Sequence, residues 1–133
     1  MSERSLRYER RDVCKHMYVW IERVVDELCH KEKQVVHSID DQTRYYDVDE
    51  QTKMYIIKKA KHLFDYMYNI MNMTSKDILA YAAASTSLSA KYILQELSCS
   101  LEIYSEMFCN SLCSAEEIEL AEYHILNERD WKV

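Results

Sequence analysis

The chain has 133 residues, a formal net charge of −6, 48% hydrophobic side chains, and neither glycine nor proline. Average usage would supply about 7% Gly and about 5% Pro. Phosphate-cradling P-loops, dinucleotide fingerprints and nucleophile elbows are therefore excluded, because each needs glycine where backbone meets ligand or turns sharply. Hairpins built on Asn-Gly or Asp-Gly turns are excluded too, and the apolar content suffices for a core, so composition points to one compact all-α domain.

Helical periodicity runs through nearly the whole chain. The first ten residues are charged and predict a loose or partly helical arm. Val13, Met17, Trp20, Val24 and Leu28 follow at steps of four, three, four and four, predicting helix 1 over about 11–31. The period breaks between about 34 and 48, where Ser38, Asp40, Asp41, Gln42, Thr43 and Asp47 predict a long loop. Asp49 is placed to cap helix 2, whose inward face reads Ile57, Ala60, Phe64, Met67 and Met71. Thr74 with Asp77 resembles a capping box opening helix 3. That helix carries Ala80, Ala82, Ala83, Ala84, Ser85, Ser87, Ser89 and Ala90, so neighbours can approach closely and its natural place is the centre of a bundle. A short helix 4 is predicted over about 101–109, with Leu101, Tyr104 and Phe108 on one side. Ser114 with Glu117 opens helix 5, which turns Ile118, Ala121 and Ile125 inward and ends near Asn127. Met17, Met54, Met67, Met71, Met73 and Met107 read as core filler.

Charge is uneven. Residues 1–34 carry eight basic and seven acidic side chains, residues 35–93 seven of each, and residues 94–133 two basic and nine acidic. An acidic C-terminal third repels phosphate, so no nucleic-acid partner is expected there; a basic protein or helix suits it better. The five cysteines are odd in number, and no apolar run approaches the roughly 18 residues of a membrane span. A reducing, intracellular setting without a membrane partner is the expectation. Cys109 and Cys113 share a helix face, but no CxxC pair and no matched histidine accompanies them, so they read as buried free thiols and no metal or other cofactor is expected. The histidines 16, 30, 37, 62 and 124 share no spacing, and Asp40, Asp41, Asp47, Asp49 and Glu50 have no hydrophobic shelter to separate their pKa values. No catalytic constellation emerges. Tyr45-Tyr46 in the acidic loop reads as plain loop, with a phosphorylation or contact site as the functional alternative.

Two charges conflict with their surroundings. Lys91 ends the small-residue helix between Ala90 and Tyr92, and Glu122 lies at the edge of the apolar stripe of helix 5. Lone buried charges cost several kcal/mol, so pairing is the economical solution; a simple salt bridge or two snorkelling side chains would also satisfy the pattern.

At these residues the sequence resembles the cyclin family. Ala84-Ser-Thr-Ser-Leu-Ser-Ala-Lys91-Tyr92 is similar to the small-residue third helix of a cyclin box, which ends in Lys and an aromatic. Ala121-Glu122-Tyr-His-Ile-Leu126 and Asp130-Trp131-Lys-Val133 resemble its fifth helix and aromatic exit. Trp20-Ile21-Glu-Arg-Val24 and Ala60-Lys-His-Leu63-Phe64-Asp65-Tyr-Met67 resemble its first and second helices. The resemblance implies a single five-helix cyclin-box bundle over 11–133, after a charged arm at 1–10. It implies no enzyme activity but a regulatory subunit for a cyclin-dependent kinase, acting in the nucleus or cytoplasm and monomeric outside the complex. Lys91 and Glu122 would hydrogen-bond kinase backbone beside the mobile helix that carries the kinase's catalytic glutamate, with Tyr92 and Leu126 lining the same surface. Where typical cyclins carry Met-Arg-x-Ile-Leu, this chain reads Val13-Cys14-Lys15-His16-Met17, so the resemblance does not extend to the usual substrate-docking groove. Ile93-Leu94 replaces the usual Glu-Glu, and no second box follows, as in a fragment or a reduced viral cyclin. The other readings are a cyclin-fold transcription or protein-binding adaptor and an unrelated helical-bundle adaptor.

Overall fold

The computed structural model describes residues 3–35, 49–93 and 101–129, with side chains at 12–29, 49–93 and 101–129 except 103 and 107. The described residues form an all-α fold of five helices: α1 (Glu3–Val35), α2 (Glu50–Ile70), α3 (Ser75–Ile93), a short α4 and α5 (Ala115–Glu128). In α4 an α-turn, Leu101–Ile103, widens into a π-turn, Tyr104–Phe108.

Helix α1 is longer than its periodicity predicts. It starts within the charged arm and continues to Val35, because Arg, Glu, Lys and Leu are good helix formers and no glycine or proline stops them. Its buried stripe is Ile21, Val24, Val25 and Leu28, while Val13, Met17 and Trp20 are half-buried. Residues 34 and 35 of the expected loop are thus helical; its remainder, 36–48 with Tyr45-Tyr46, lies outside the described residues, as do Cys99 and Trp131.

The caps form as their residue types dictate. Asp49 accepts from the Thr52 amide at 2.7 Å. The Thr74 amide donates to the Asp77 carboxylate at 3.0 Å while the Asp77 amide donates to the Thr74 hydroxyl at 3.3 Å, a reciprocal box. Ser114 accepts from the Glu117 amide at 3.1 Å.

Helices α1 and α2 run antiparallel. Tyr18 bonds Asp65, Glu22 meets Lys61 at 2.6 Å, and Asp26 meets Lys53, so partners descend along α2 as they rise along α1. Burial, together with the Asp65 carboxylate that its hydroxyl serves, pushes the Tyr18 phenol far above its ordinary value, so it stays a donor.

Helix α3 packs against α1, α2 and α5. Every residue from Ala80 to Ala90 is buried, including Ser85, Thr86, Ser87 and Ser89. The Thr86 and Ser89 hydroxyls donate to the carbonyls of Ala82 and Ser85, four residues back, at 2.8 and 2.7 Å. The central position expected from small side chains is the one observed. From α2 the core takes Ile56, Ile57, Ala60, Leu63, Phe64 and Met67. Met54 is not core filler: it is 59% exposed, because it sits on the outer face of α2.

Glycine's absence has a visible consequence between α4 and α5. Asn110 and Ser111 take φ values of 48° and 59°, a region in which a Cβ costs roughly 1–2 kcal/mol. Asparagine tolerates it better than serine. The Ser111→Gly variant is expected to be more stable by about 0.5 kcal/mol, relief of strain being partly offset by a more flexible unfolded chain. Urea denaturation would check it; a less stable variant would show that Ser111 is not strained.

Candidate functional site

The site is built where the C-terminal turn of α3 meets the middle of α5. Lys91 lies in the last turn of α3, where carbonyls point outward and a cation is favoured. Glu122 faces it from α5. The Lys91 ammonium donates to both Glu122 oxygens, at 3.0 and 3.3 Å. The pair is asymmetric: the Lys91 side chain is 41% exposed and that of Glu122 only 9%.

Burial pushes the Glu122 carboxyl above its ordinary value, against the hydrogen bond and positive charge of Lys91, which pull it down. The Glu119 carboxylate adds to the upward push. The Ser87 hydroxyl, one turn before Lys91, lies beside Glu122 and favours its charged form, although it makes no hydrogen bond of good geometry. An ammonium has three donors, and the two Glu122 oxygens do not exhaust them. The Lys91 side chain remains 41% exposed, so its ammonium has donor capacity left to meet a carbonyl of an incoming chain.

The other two predicted residues flank this pair. Tyr92 is 57% exposed, with the Lys59 ammonium 4.5 Å from its ring centroid. Leu126, one turn beyond Glu122, is half-buried and packs against the core. Lys59 was not singled out by sequence reasoning. It belongs to α2, and nothing in the period of either helix reveals a contact made across 33 positions. Ser87 was legible, since a spacing of four puts it on the face of Lys91.

On the other side of α5, the Tyr81 hydroxyl bonds His124 Nδ1, and His124 Nε2 lies 3.5 Å from Glu128. Lys76 meets Glu117 at 3.2 Å and joins the starts of α3 and α5. These contacts fix how α5 lies on α3 and so set the distance between Lys91 and Glu122.

Among the described residues no cluster of three or more His, Cys, Asp or Glu could hold a metal ion, and no helix is long and apolar enough to cross a membrane. Cys109 and Cys113 are buried free thiols. Burial pushes the Cys109 thiol up to about 12, so it stays protonated and is a poor ligand or nucleophile.

The chain matches no protein-family model, no curated protein and no solved structure. The site stands on its own geometry: an all-α bundle presents a half-open ion pair beside an exposed aromatic ring.

Proposed function

We propose that this chain is a cyclin-like regulatory subunit, built on a single cyclin box, that binds a cyclin-dependent kinase and positions its mobile regulatory helix. The observation that carries the reading is the Lys91–Glu122 pair at 3.0 Å, open on the lysine side next to Tyr92. A pure core salt bridge would shield both partners. Here the carboxylate is anchored and the ammonium is left accessible, an arrangement suited to backbone recognition at the end of a partner's helix.

In this reading Tyr92 and Leu126 supply apolar contact beside the polar pair. Docking there holds the kinase's helix inward, so that the glutamate on it meets the ATP-positioning lysine. The chain then works inside the cell, in the nucleus or cytoplasm, as a monomer before it meets the kinase. The buried free thiols of Cys109 and Cys113 suit that reducing setting.

The test is co-purification with a panel of cyclin-dependent kinases, comparing wild type with Lys91→Ala/Glu122→Ala. Truncating a hydrogen-bonded charge pair within an interface typically removes 2–5 kcal/mol, so affinity is expected to fall by about 100-fold while the helical circular-dichroism spectrum is kept. Unchanged affinity in a folded double variant would overturn the docking mode. Failure of the folded wild type to bind any member of the panel would overturn the partner.

A further inference from the structure

Helix α5 has a second face that neither the core nor the Lys91 pair uses. Ile118, Ala121 and Ile125 turn inward. Opposite them lie Glu116, Glu119, Leu120 and Tyr123, brought together by steps of three and four. Leu120 is 69% exposed and Tyr123 49%, and Leu112, in the turn before the Ser114 cap, is 69% exposed. Single exposed leucines are ordinary. Here two leucines and a tyrosine are exposed within twelve residues, beside the exposed acids Glu116 and Glu119.

The acids of α5 divide into two sets. Glu117 pairs with Lys76, Glu122 with Lys91 and Glu128 with His124. Glu116 and Glu119, the two that border Leu120, meet no cation among the described residues. The positive end of the helix dipole accounts for Glu116 in the first turn. It does not account for Glu119, a turn further on, whose side chain is exposed. Two exposed acids that meet no cation among the described residues, set beside exposed leucines, suggest that the surface is completed from outside.

We infer that the outer face of α5 is a docking surface for a basic amphipathic segment of a partner protein. Charge complementarity selects that occupant. Residues 94–133 hold nine acidic and two basic side chains, so phosphate-bearing surfaces are repelled and a lysine- or arginine-rich helix is attracted. The leucines and Tyr123 provide apolar contact, as in helix-on-groove recognition read at positions three and four apart. Glu116 and Glu119 set the charge preference. The inference does not depend on the kinase reading, because it uses neither Lys91 nor Glu122.

The test uses a short helical peptide of alternating Leu and Lys faces as probe, with a Leu/Glu peptide of the same pattern as its counterpart. Fluorescence anisotropy is read at low and high salt. The Leu/Lys peptide is expected to bind and the Leu/Glu peptide not. Binding should weaken by about tenfold in Leu120→Ser and in Glu116→Lys/Glu119→Lys, and should weaken with salt. Asp12→Lys/Glu50→Lys, exposed positions on α1 and α2, changes net charge equally and should leave binding within about twofold if the effect is local. Equal weakening in that control would show attraction by net charge alone and overturn the inference. Equal binding of the Leu/Glu peptide, or no binding of either, would also overturn it. Sedimentation of the protein alone provides a further check: self-association abolished by Leu120→Ser would make the occupant a second copy of the chain and overturn the basic-partner assignment.

Discussion

The Ala83→Leu variant is expected to lose about 3 kcal/mol of stability, at the upper end of the usual range for overpacking. Ala83 is fully buried in a helix whose residues 80–90 are all buried. Helix α3 packs on α1, α2 and α5, so there is no solvent side into which a larger side chain could rotate. Side chains this small let helix axes approach to about 8 Å, and a leucine must push a neighbour outward or leave its rotamer well. For a domain of this size the midpoint of thermal unfolding should fall by roughly 10 °C. Asn69→Leu, on the exposed surface of α2, adds a leucine where nothing is crowded and should stay within about 0.5 kcal/mol of wild type. Equal stability of the two variants would mean that α3 is not closely packed.

The second large effect is expected at Lys91→Met, which keeps the alkyl stem and removes the charge. It leaves the Glu122 carboxylate in a site where the side chain is 9% exposed. Breaking a fully buried pair costs about 3–5 kcal/mol; because Lys91 is 41% exposed, water already screens part of the interaction, and about 2 kcal/mol at neutral pH is the expected loss. The loss should depend on pH. The Glu122 carboxyl already titrates above its ordinary value of 4.5. Above that value the folded protein therefore binds more protons than the unfolded chain, and stability falls as pH rises through the folded value. Removing Lys91 raises the folded value further and widens the window upward. The variant should lie closest to wild type near pH 4.5 and furthest from it at pH 7, by urea denaturation at both. Adding Glu122→Gln, which carries no charge, should recover most of the loss. A pH-independent difference would mean that Lys91 acts through packing alone.

The same pair would carry both the stability effect and the proposed kinase contact. The two roles separate experimentally, because Lys91→Met/Glu122→Gln should fold well and yet lack the outward ammonium. Weak kinase binding by that stable protein would assign the loss to recognition, not to unfolding.

Much of the local structure was legible residue by residue. Asp49, Thr74, Asp77, Ser114 and Glu117 act at helix starts as their side-chain chemistry requires, because capping depends on neighbours within three positions. The small-residue run of α3 implied a central helix, and the conflict between Lys91, Glu122 and their apolar settings implied that they meet. The ends of α1 were less legible. A charged arm without glycine or proline carries no stop signal, so its apparent boundary followed the apolar stripe while the helix itself ran on to Glu3 and Val35. The stripe's centre was also displaced: Ile21 and Val25 are more buried than Met17 and Trp20, since burial depends on where α2 and α3 lie and not on the period alone.

The sequence by itself determined an all-helical chain, its punctuation by Ser, Thr and Asp in place of Gly and Pro, and the helix that belongs at the centre. Those properties come from short-range chemistry: backbone freedom, capping hydrogen bonds and side-chain volume. Only the tertiary structure decided that Lys91 is half-open while Glu122 is enclosed, that Lys59 reaches Tyr92 from another helix, and that Glu116 and Glu119, beside Leu120, meet no cation among the described residues. Exposure and partnership depend on the angle at which α5 lies across α3, which is set by contacts between residues tens of positions apart. The missing glycines likewise take on a physical meaning only in three dimensions, where Asn110 and Ser111 bear the backbone conformation that glycine would otherwise adopt.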